Sequence, residues 1–234
     1  MRLDKRIVLC LFALGVVAGC ASTKVSDRDI LVTGKIPRPN SILVYDFVAT
    51  PADLPADSQL ARDSAGAPQT AEHIAAGRQL GTQIATQLVE EIRGMGMPAE
   101  RATAGKTPQI NDVVIRGYLL SIDEGSATKR VALGFGSGAS ELRTAVEGYQ
   151  MTAQGLRKLG SGTVDSGGSK TPGAAVPLAV AIATGNPVGL IVSTGMKVYG
   201  EASGSSKVEG RAEATAKEIA DELKKRFEQQ GWIK

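Results

Sequence analysis

Few side chains in this sequence are of the types that carry catalysis or bind metal ions. His73 is the only histidine, and Cys10 and Cys20 are the only cysteines. A serine or cysteine nucleophile needs a nearby histidine base, and a zinc site needs several histidine or cysteine ligands. His73 follows Glu72 near the start of a helical pattern, a position typical of a solvated residue. We therefore expect neither a metal site nor a cofactor.

Two glycine-containing segments match nucleotide-binding loops only in part. Gly105-Lys106-Thr107 has the ending of a phosphate-binding loop, but that motif needs a glycine where this chain has Glu100. Residues 134–138 are rich in glycine, but the last glycine of a dinucleotide fingerprint is replaced by Ala139. Neither segment therefore predicts a nucleotide site.

Carboxylate pairs and aromatic residues add no catalytic or nucleic-acid signal. Glu90-Glu91 and Asp123-Glu124 have the groups for acid-base work, but at a helix face and a strand end we expect them to be hydrated. Aromatic residues make up 4% of the chain and are not interleaved with basic residues, as a stacking platform for single strands would require. We expect a protein that is not an enzyme and does not bind nucleic acid.

Cys20 is the residue with the clearest chemical role. Charged residues at 1–6 precede the apolar run 7–18, which has the length of the hydrophobic part of a secretory signal peptide. The run ends in Val17-Ala18-Gly19-Cys20, which resembles the bacterial lipobox. That resemblance implies cleavage after residue 19 and attachment of fatty acyl chains such as palmitate to Cys20. An ordinary signal peptide, or a buried cysteine, is the alternative.

Loss of residues 1–19 changes what the charge implies. Arg2, Lys5 and Arg6 would leave together with Asp4, which lowers the net charge from +3 to about +1. A nearly neutral chain gives no support for nucleic-acid binding. Cys10 would leave as well, so no thiol would remain for a disulfide.

The residues after Cys20 predict the destination and the domain limits. No aspartate follows Cys20, and in the lipoproteins that this chain resembles this favours the outer membrane, on its periplasmic face. Residues 20–40 are polar and include Pro37 and Pro39, which predicts a tether. We expect a single periplasmic domain over residues 41–234.

Hydrophobic periodicity predicts an α/β (α+β) fold with a small mixed sheet and helices packed on one side. Glycines 77 and 81 share one face of the first helix and would let it approach the sheet closely. A short connection at 153–155 predicts an antiparallel hairpin, and Gly231 is expected to end the last helix with Trp232 folded back. The predicted elements are strand 41–48, helix 69–93, strand 112–123, strands 141–152 and 156–164, and helix 208–230.

Two further segments are unusual in composition. The glycine-rich stretch 125–140 exposes backbone groups and permits close approach, so it is the candidate contact loop, with Gly125, Ser126, Lys129, Arg130, Gly134, Phe135, Gly136 and Gly138 as its residues. Residues 171–196 carry no charge and are mostly apolar, but Pro177 and Asn186-Pro187 interrupt them. They predict a helical or hairpin insertion that is buried in the protein, inserted in the membrane or used for self-association.

Several segments identify the chain with a known family. Residues 116–126, Lys129-Arg130 and 134–142 resemble a family of Gram-negative lipoproteins known as a domain of unknown function. Asn186-Pro187, residues 197–201 and Gly231-Trp232-Ile233 are similar to it as well. The resemblance spans about residues 41–234 and implies no activity and no site residues.

The order of elements also resembles, more distantly, the periplasmic domain of the curli secretion channel lipoprotein. That resemblance implies a sheet with helices on one side, similar to the N-terminal domain of TolB. In the channel, segments after such strands form membrane hairpins. Here the stretch 125–140 is short and contains Lys129-Arg130, which argues against a pore of that kind.

Two functions follow from these patterns. The first is an envelope lipoprotein with a non-enzymatic binding or structural role, held to the membrane through Cys20 and contacting an envelope protein through loop 125–140. The alternative is an oligomeric secretion or pore-associated component of the outer membrane that uses residues 171–196.

Overall fold

The structure is a computed structural model, and it describes residues 22–50, 53, 71–103, 105–123, 141–167 and 208–234. These residues form six strands and two helices. The elements are β1 (Ser22–Ile30), β2 (Ile42–Tyr45), α1 (Ala71–Gly94), β3 (Ala99–Ala102), β4 (Val113–Asp123), β5 (Glu141–Thr152), β6 (Gly155–Gly167) and α2 (Val208–Gln230).

The six strands form one mixed sheet in the order β1-β6-β5-β4-β2-β3. β2 runs parallel to β3 and to β4. The α1 helix is the crossover that a parallel connection from β2 to β3 requires. The neighbouring pairs β4–β5, β5–β6 and β6–β1 are each antiparallel. The predicted α/β fold with a mixed sheet is confirmed, and so is the predicted hairpin, which is β5 and β6.

Both helices pack on the same face of the sheet, which we call the helix face. β2 shows the alternation directly, since Ile42 and Val44 belong to the core beneath the helices while Leu43 belongs to a smaller cluster on the opposite face. All three side chains are fully buried, which confirms a strand covered on both faces. The main core also includes Ile84, Leu88, Ile92, Val113, Ile115, Leu119, Ile219 and Phe227.

A glycine brings α1 close to the chain that follows β2. Gly81 accepts a hydrogen bond from the Phe47 backbone N–H at 3.3 Å, and a Cβ on Gly81 would overlap the Phe47 carbonyl. Gly117 in β4 makes room for the Phe47 ring in the same way. The close approach predicted for α1 is therefore made at Gly81.

The interpretation of residues 20–40 as a tether is wrong for residues 22–30. These residues form β1, which pairs with β6 from Ser22 opposite Gly167 to Ile30 opposite Gly160. β1 is an edge strand that is held mainly by backbone pairing, and Val25 is its one side chain packed against the core. Because such a strand buries few apolar side chains, its sequence contains no hydrophobic run from which it could be predicted.

Two smaller features complete the fold. β3 has the sequence AERA and was not predicted. The predicted end of α2 is confirmed, because Gly231 has a positive φ of 76° and the Trp232 ring lies 5.4 Å from the Phe227 ring. Within the described residues, neither helix has the length and apolar character needed to cross a membrane.

Candidate functional site

The residues predicted to contact the membrane or a partner lie outside the described residues. This holds for Cys20, for the contact loop with Gly125, Ser126, Lys129, Arg130, Gly134, Phe135, Gly136 and Gly138, and for residues 171–196. The structure does describe the strand and helix ends from which these segments leave. Those ends show where in the fold the segments begin and end.

The segments all leave from one end of the sheet. Ser22 pairs with Gly167, Gly167 pairs with Glu141, and Glu141 pairs with Asp123. These four residues form a row across β1, β6, β5 and β4, which we call the Ser22 end. Cys20 comes two residues before this row, residues 124–140 connect two of its members, and residues 168–207 begin directly after a third.

The first turns of α2 lie at the same end. The Ser166 hydroxyl donates a hydrogen bond to the Arg211 carbonyl at 3.3 Å. Residues 168–207 therefore leave the sheet and return to it within a short distance of the Ser22 end. The opposite end of the same strands is the hairpin turn at Gln154, which lies about 40 Å away because β6 has 13 residues that rise about 3.3 Å each.

The opposite face of the sheet carries a buried charged pair with aromatic neighbours. Glu147, with 3% of its side chain exposed, accepts a hydrogen bond from Lys158 at 3.0 Å and one from the Tyr149 hydroxyl at 2.9 Å. The Arg116 guanidinium lies 5.4 Å from the Tyr149 ring centre and 5.8 Å from that of Tyr45. Both carboxylate oxygens are thus occupied, which is the arrangement of a structural ion pair.

A second carboxylate site lies where parallel strand β2 ends. Asp46 receives hydrogen bonds from Arg101 at 2.5 and 2.6 Å and from the Thr82 hydroxyl at 3.1 Å. The Arg101 hydrogen bonds lower the pKa of Asp46 below its usual value, although partial burial opposes the shift. A carboxylate held ionised by a fixed arginine is not poised to take up a proton near neutral pH.

A cavity of about 200 Å³ lies between the helix face and the second half of α2. Its floor comes from β4, β5 and β6, and its walls come from α2, β1 and residues 31–36, which we call the strap. The lining is mainly apolar and includes Val25, Ile115, Val146, Leu223 and Phe227. Sequence reasoning missed this site. The only sequence signal that could have indicated it is the set of glycines in the strands of the floor, Gly148, Gly160 and Gly162.

The strap is held across the cavity by polar side chains near the end of α2. Gln230 accepts a hydrogen bond from the Ile36 N–H at 2.8 Å and donates one to the Gly34 carbonyl at 3.1 Å. Arg226 donates to the Val32 carbonyl at 3.1 Å, and the Trp232 indole donates to the Ile36 carbonyl at 3.2 Å. Segments from both termini of the described chain therefore border the cavity.

The described residues show no metal centre. No group of three or more histidine, cysteine, aspartate or glutamate side chains among them could hold a metal ion. That the protein lacks a cofactor and is not an enzyme stays a prediction.

The fold and its sites define a mixed α/β domain with two helices on one face of a six-stranded sheet. The chain belongs to the family described as Domain of unknown function (DUF4410), whose model matches residues 42–185. The predicted membership in a family known as a domain of unknown function is confirmed, whereas its description as a family of Gram-negative lipoproteins stays a prediction. The matched range begins at β2. β1 and α2 lie outside that range.

Two solved structures show a weak similarity to this chain. The PelC dodecamer from Paraburkholderia phytofirmans in space group P6 is 11% identical, with a TM-score of 0.37 over 72% of this chain and 99% of that chain. A variant of the same dodecamer in space group C2 is 11% identical, with a TM-score of 0.38 and the same coverage. Similarity this weak does not bear on function. No curated protein matches the sequence.

Proposed function

We propose that this protein is a lipid-anchored, non-enzymatic binding protein of the bacterial envelope that rests with its Ser22 end on the periplasmic face of the outer membrane. The observation that carries the proposal is the row of Ser22, Gly167, Glu141 and Asp123. It shows that the described residues nearest to the lipobox cysteine, the contact loop and the uncharged segment share one end of the sheet, which supports a common location for the three.

The short distance between the lipid and the sheet supports this orientation. Two residues of chain span about 7 Å at most, so an acyl group on Cys20 would hold Ser22 close to the lipid headgroups. A flexible tether of twenty residues would let the domain rotate freely relative to the membrane. A strand that begins at Ser22, two residues after the lipid, would restrict that rotation.

The same orientation gives the contact loop a partner class. Loop 125–140 would lie beside the membrane surface, where a second envelope protein, itself anchored or embedded in that membrane, is within reach. Lys129 and Arg130 would place positive charge next to lipid headgroups or to an acidic surface of that protein.

The anchor is tested by fractionation. We expect Cys20→Ala to move the protein from the membrane fraction to the soluble periplasmic fraction, because the acyl chains supply the membrane affinity. Cys10→Ala, which alters only the signal peptide, is the matched control and should leave the protein in the membrane fraction. A Cys20→Ala protein that stays fully in the membrane fraction would contradict the lipid anchor as the main attachment.

A second function is favoured by the position of residues 168–207. The residues before and after this segment, Gly167 and Val208, lie at the Ser22 end. This supports a role of its uncharged part 171–196 in membrane contact or in contact between copies, as an oligomeric secretion or pore-associated component would need. Cross-linking in intact envelopes followed by detergent extraction separates the two functions. A ring that survives solubilisation would favour the oligomeric component over the simple binding protein.

A further inference from the structure

The cavity beneath α2 has the properties of a ligand site, and it is independent of the proposed anchor because every lining residue is described. Its volume of about 200 Å³ exceeds the roughly 150 Å³ at which an apolar cavity binds a benzene-sized molecule. Most of its lining residues are apolar or glycine. The chemistry therefore selects an apolar ligand.

The cavity exists because of a glycine in its floor. Gly148 in β5 lies opposite Ile115 of β4 and Gly160 of β6 on the helix face. A Cβ on Gly148 would meet no atom within 4 Å. Native interiors are close-packed, so an open space above a strand glycine at the edge of the core is notable.

The charged residues at the rim of the cavity indicate the charge of the ligand. Four charged residues line the cavity, Arg28, Asp29, Glu222 and Arg226. Arg28 is paired with Glu222 at 2.5 Å, and Asp29 is exposed. Arg226 is bonded instead to the Val32 carbonyl and to Gln229 at 2.9 Å, and it pairs with no carboxylate in the part of the chain that the structure describes. An anionic group at the mouth of the cavity would form a charge-assisted hydrogen bond with the Arg226 guanidinium.

We propose that this cavity binds a single-chain anionic amphiphile, of which a fatty acid is the simplest example. The alkyl chain would lie on Gly148 between the sheet and α2, and the carboxylate would meet Arg226. Ile30 and Leu31, which are 40% and 53% exposed, continue the apolar surface outward from the cavity. A chain longer than the cavity would extend along them.

The sequence supplies its own reporter for this test. Trp232 is the only tryptophan in the chain and lines the cavity. The mature chain carrying Cys20→Ala, which needs no detergent, is titrated with ω-bromoundecanoate, because a bromine atom near an indole quenches its fluorescence. We expect saturable quenching by the bromo acid and none by undecanoate. Absence of saturable quenching would overturn the proposal.

Two variants locate the ligand. Gly148→Leu fills the floor and should weaken binding at least about tenfold, because several methylene contacts are lost. Gly105→Leu is the matched control, since it adds the same side chain at an exposed loop glycine away from the cavity. A urea unfolding curve of Gly148→Leu establishes that the variant is folded, and unchanged quenching in the folded variant would contradict the site.

Arg226→Gln tests the head group without touching the floor. It should weaken binding of the bromo acid about tenfold, the loss typical of a hydrogen bond to a charged group. Binding of the uncharged methyl ester should be unchanged. If acid and ester weaken equally, the anionic part of the proposal is wrong and Arg226 acts only by holding the strap.

Discussion

Asp46 shows how a single side chain makes stability depend on pH. Its hydrogen bonds with Arg101 hold its pKa below the usual value, which is about 3.9 in an unfolded chain. The folded state therefore favours the ionised carboxylate. This contribution is fully present above the unfolded pKa and is lost as the pH falls through the folded pKa.

We expect Asp46→Asn to lower the free energy of unfolding at pH 7 by at most about 1 kcal/mol, because the pair is exposed to solvent and screened. The difference from the native protein should shrink as the pH falls below about 4. Urea unfolding at a series of pH values measures it, with Glu90→Gln on the exposed side of α1 as the control. A difference that is constant down to the lowest pH would contradict a role for the ionised carboxylate.

Glu147 and Lys158 form the buried counterpart of this pair. Glu147→Leu would leave the Lys158 ammonium without this carboxylate, and we expect a loss of about 3 kcal/mol. Glu100→Gln, in a pair with Lys106 whose side chains are 40% and 42% exposed, is the control and should cost less than about 1 kcal/mol. Urea unfolding measures both losses. Equal losses in the two variants would mean that burial does not determine how much each ion pair contributes to the free energy of unfolding.

The single side chains that matter were only partly visible in the sequence. Cys20 stands in a local motif, so the sequence names it directly, and its role stays a prediction. Glu147, Lys158 and Arg226 are ordinary charged residues whose importance depends on partners brought from distant strands. No local pattern encodes such contacts.

The packing of α1 against the segment after β2 depends on one glycine. We expect Gly81→Ala to destabilise the fold by about 2 kcal/mol or more, because the added methyl group would overlap the Phe47 carbonyl and force the helix outward. Gly94→Ala, at the last residue of the same helix, meets no atom within 4 Å. It should be neutral or stabilise by up to about 1 kcal/mol.

Thermal unfolding of the two variants side by side checks this contrast. Both changes are the same in chemistry, and only their surroundings differ. A Gly81→Ala protein as stable as Gly94→Ala would show that α1 is free to shift and that the close approach is not needed.

The elements that the sequence predicted are those with a strong hydrophobic period. α1 and α2 have one apolar stripe, and β2, β4 and β5 have buried apolar residues on at least one face. β1 and β3 are the two edges of the sheet. An edge strand pairs on one side only and buries few side chains, so its hydrogen bonds form without a pattern that a sequence could show.

The orientation of the domain on the membrane can be measured directly. Lys24 and Gln154 are both exposed and lie near opposite ends of the sheet. We expect a fluorophore on Lys24→Cys of the acylated protein in vesicles to be quenched by a headgroup quencher, and one on Gln154→Cys to be unaffected. The acylated Cys20 does not compete for the label. Equal quenching at both positions would contradict the Ser22-end orientation.

The arrangement of the molecule could be predicted only in outline. The class of fold followed from the order of helical and extended patterns, and the family followed from particular segments, since its model matches residues 42–185. The cavity could not be predicted, because it is made by the distance between α2 and three strands rather than by any one of them. The likeness to the curli channel domain and to TolB stays a prediction.

The strap has a consequence for how the protein is made. β1 pairs only with β6, and the strap is bonded to Arg226, Gln230 and Trp232. β1 can therefore pair only after residue 167 has been synthesised, and the strap finds its partners only when almost the last residues of the chain have been synthesised. Such long-range contacts slow folding. Under the proposed lipid anchor, the N-terminus would be held at the membrane with the strap unbound until the end of the chain arrives to complete the domain.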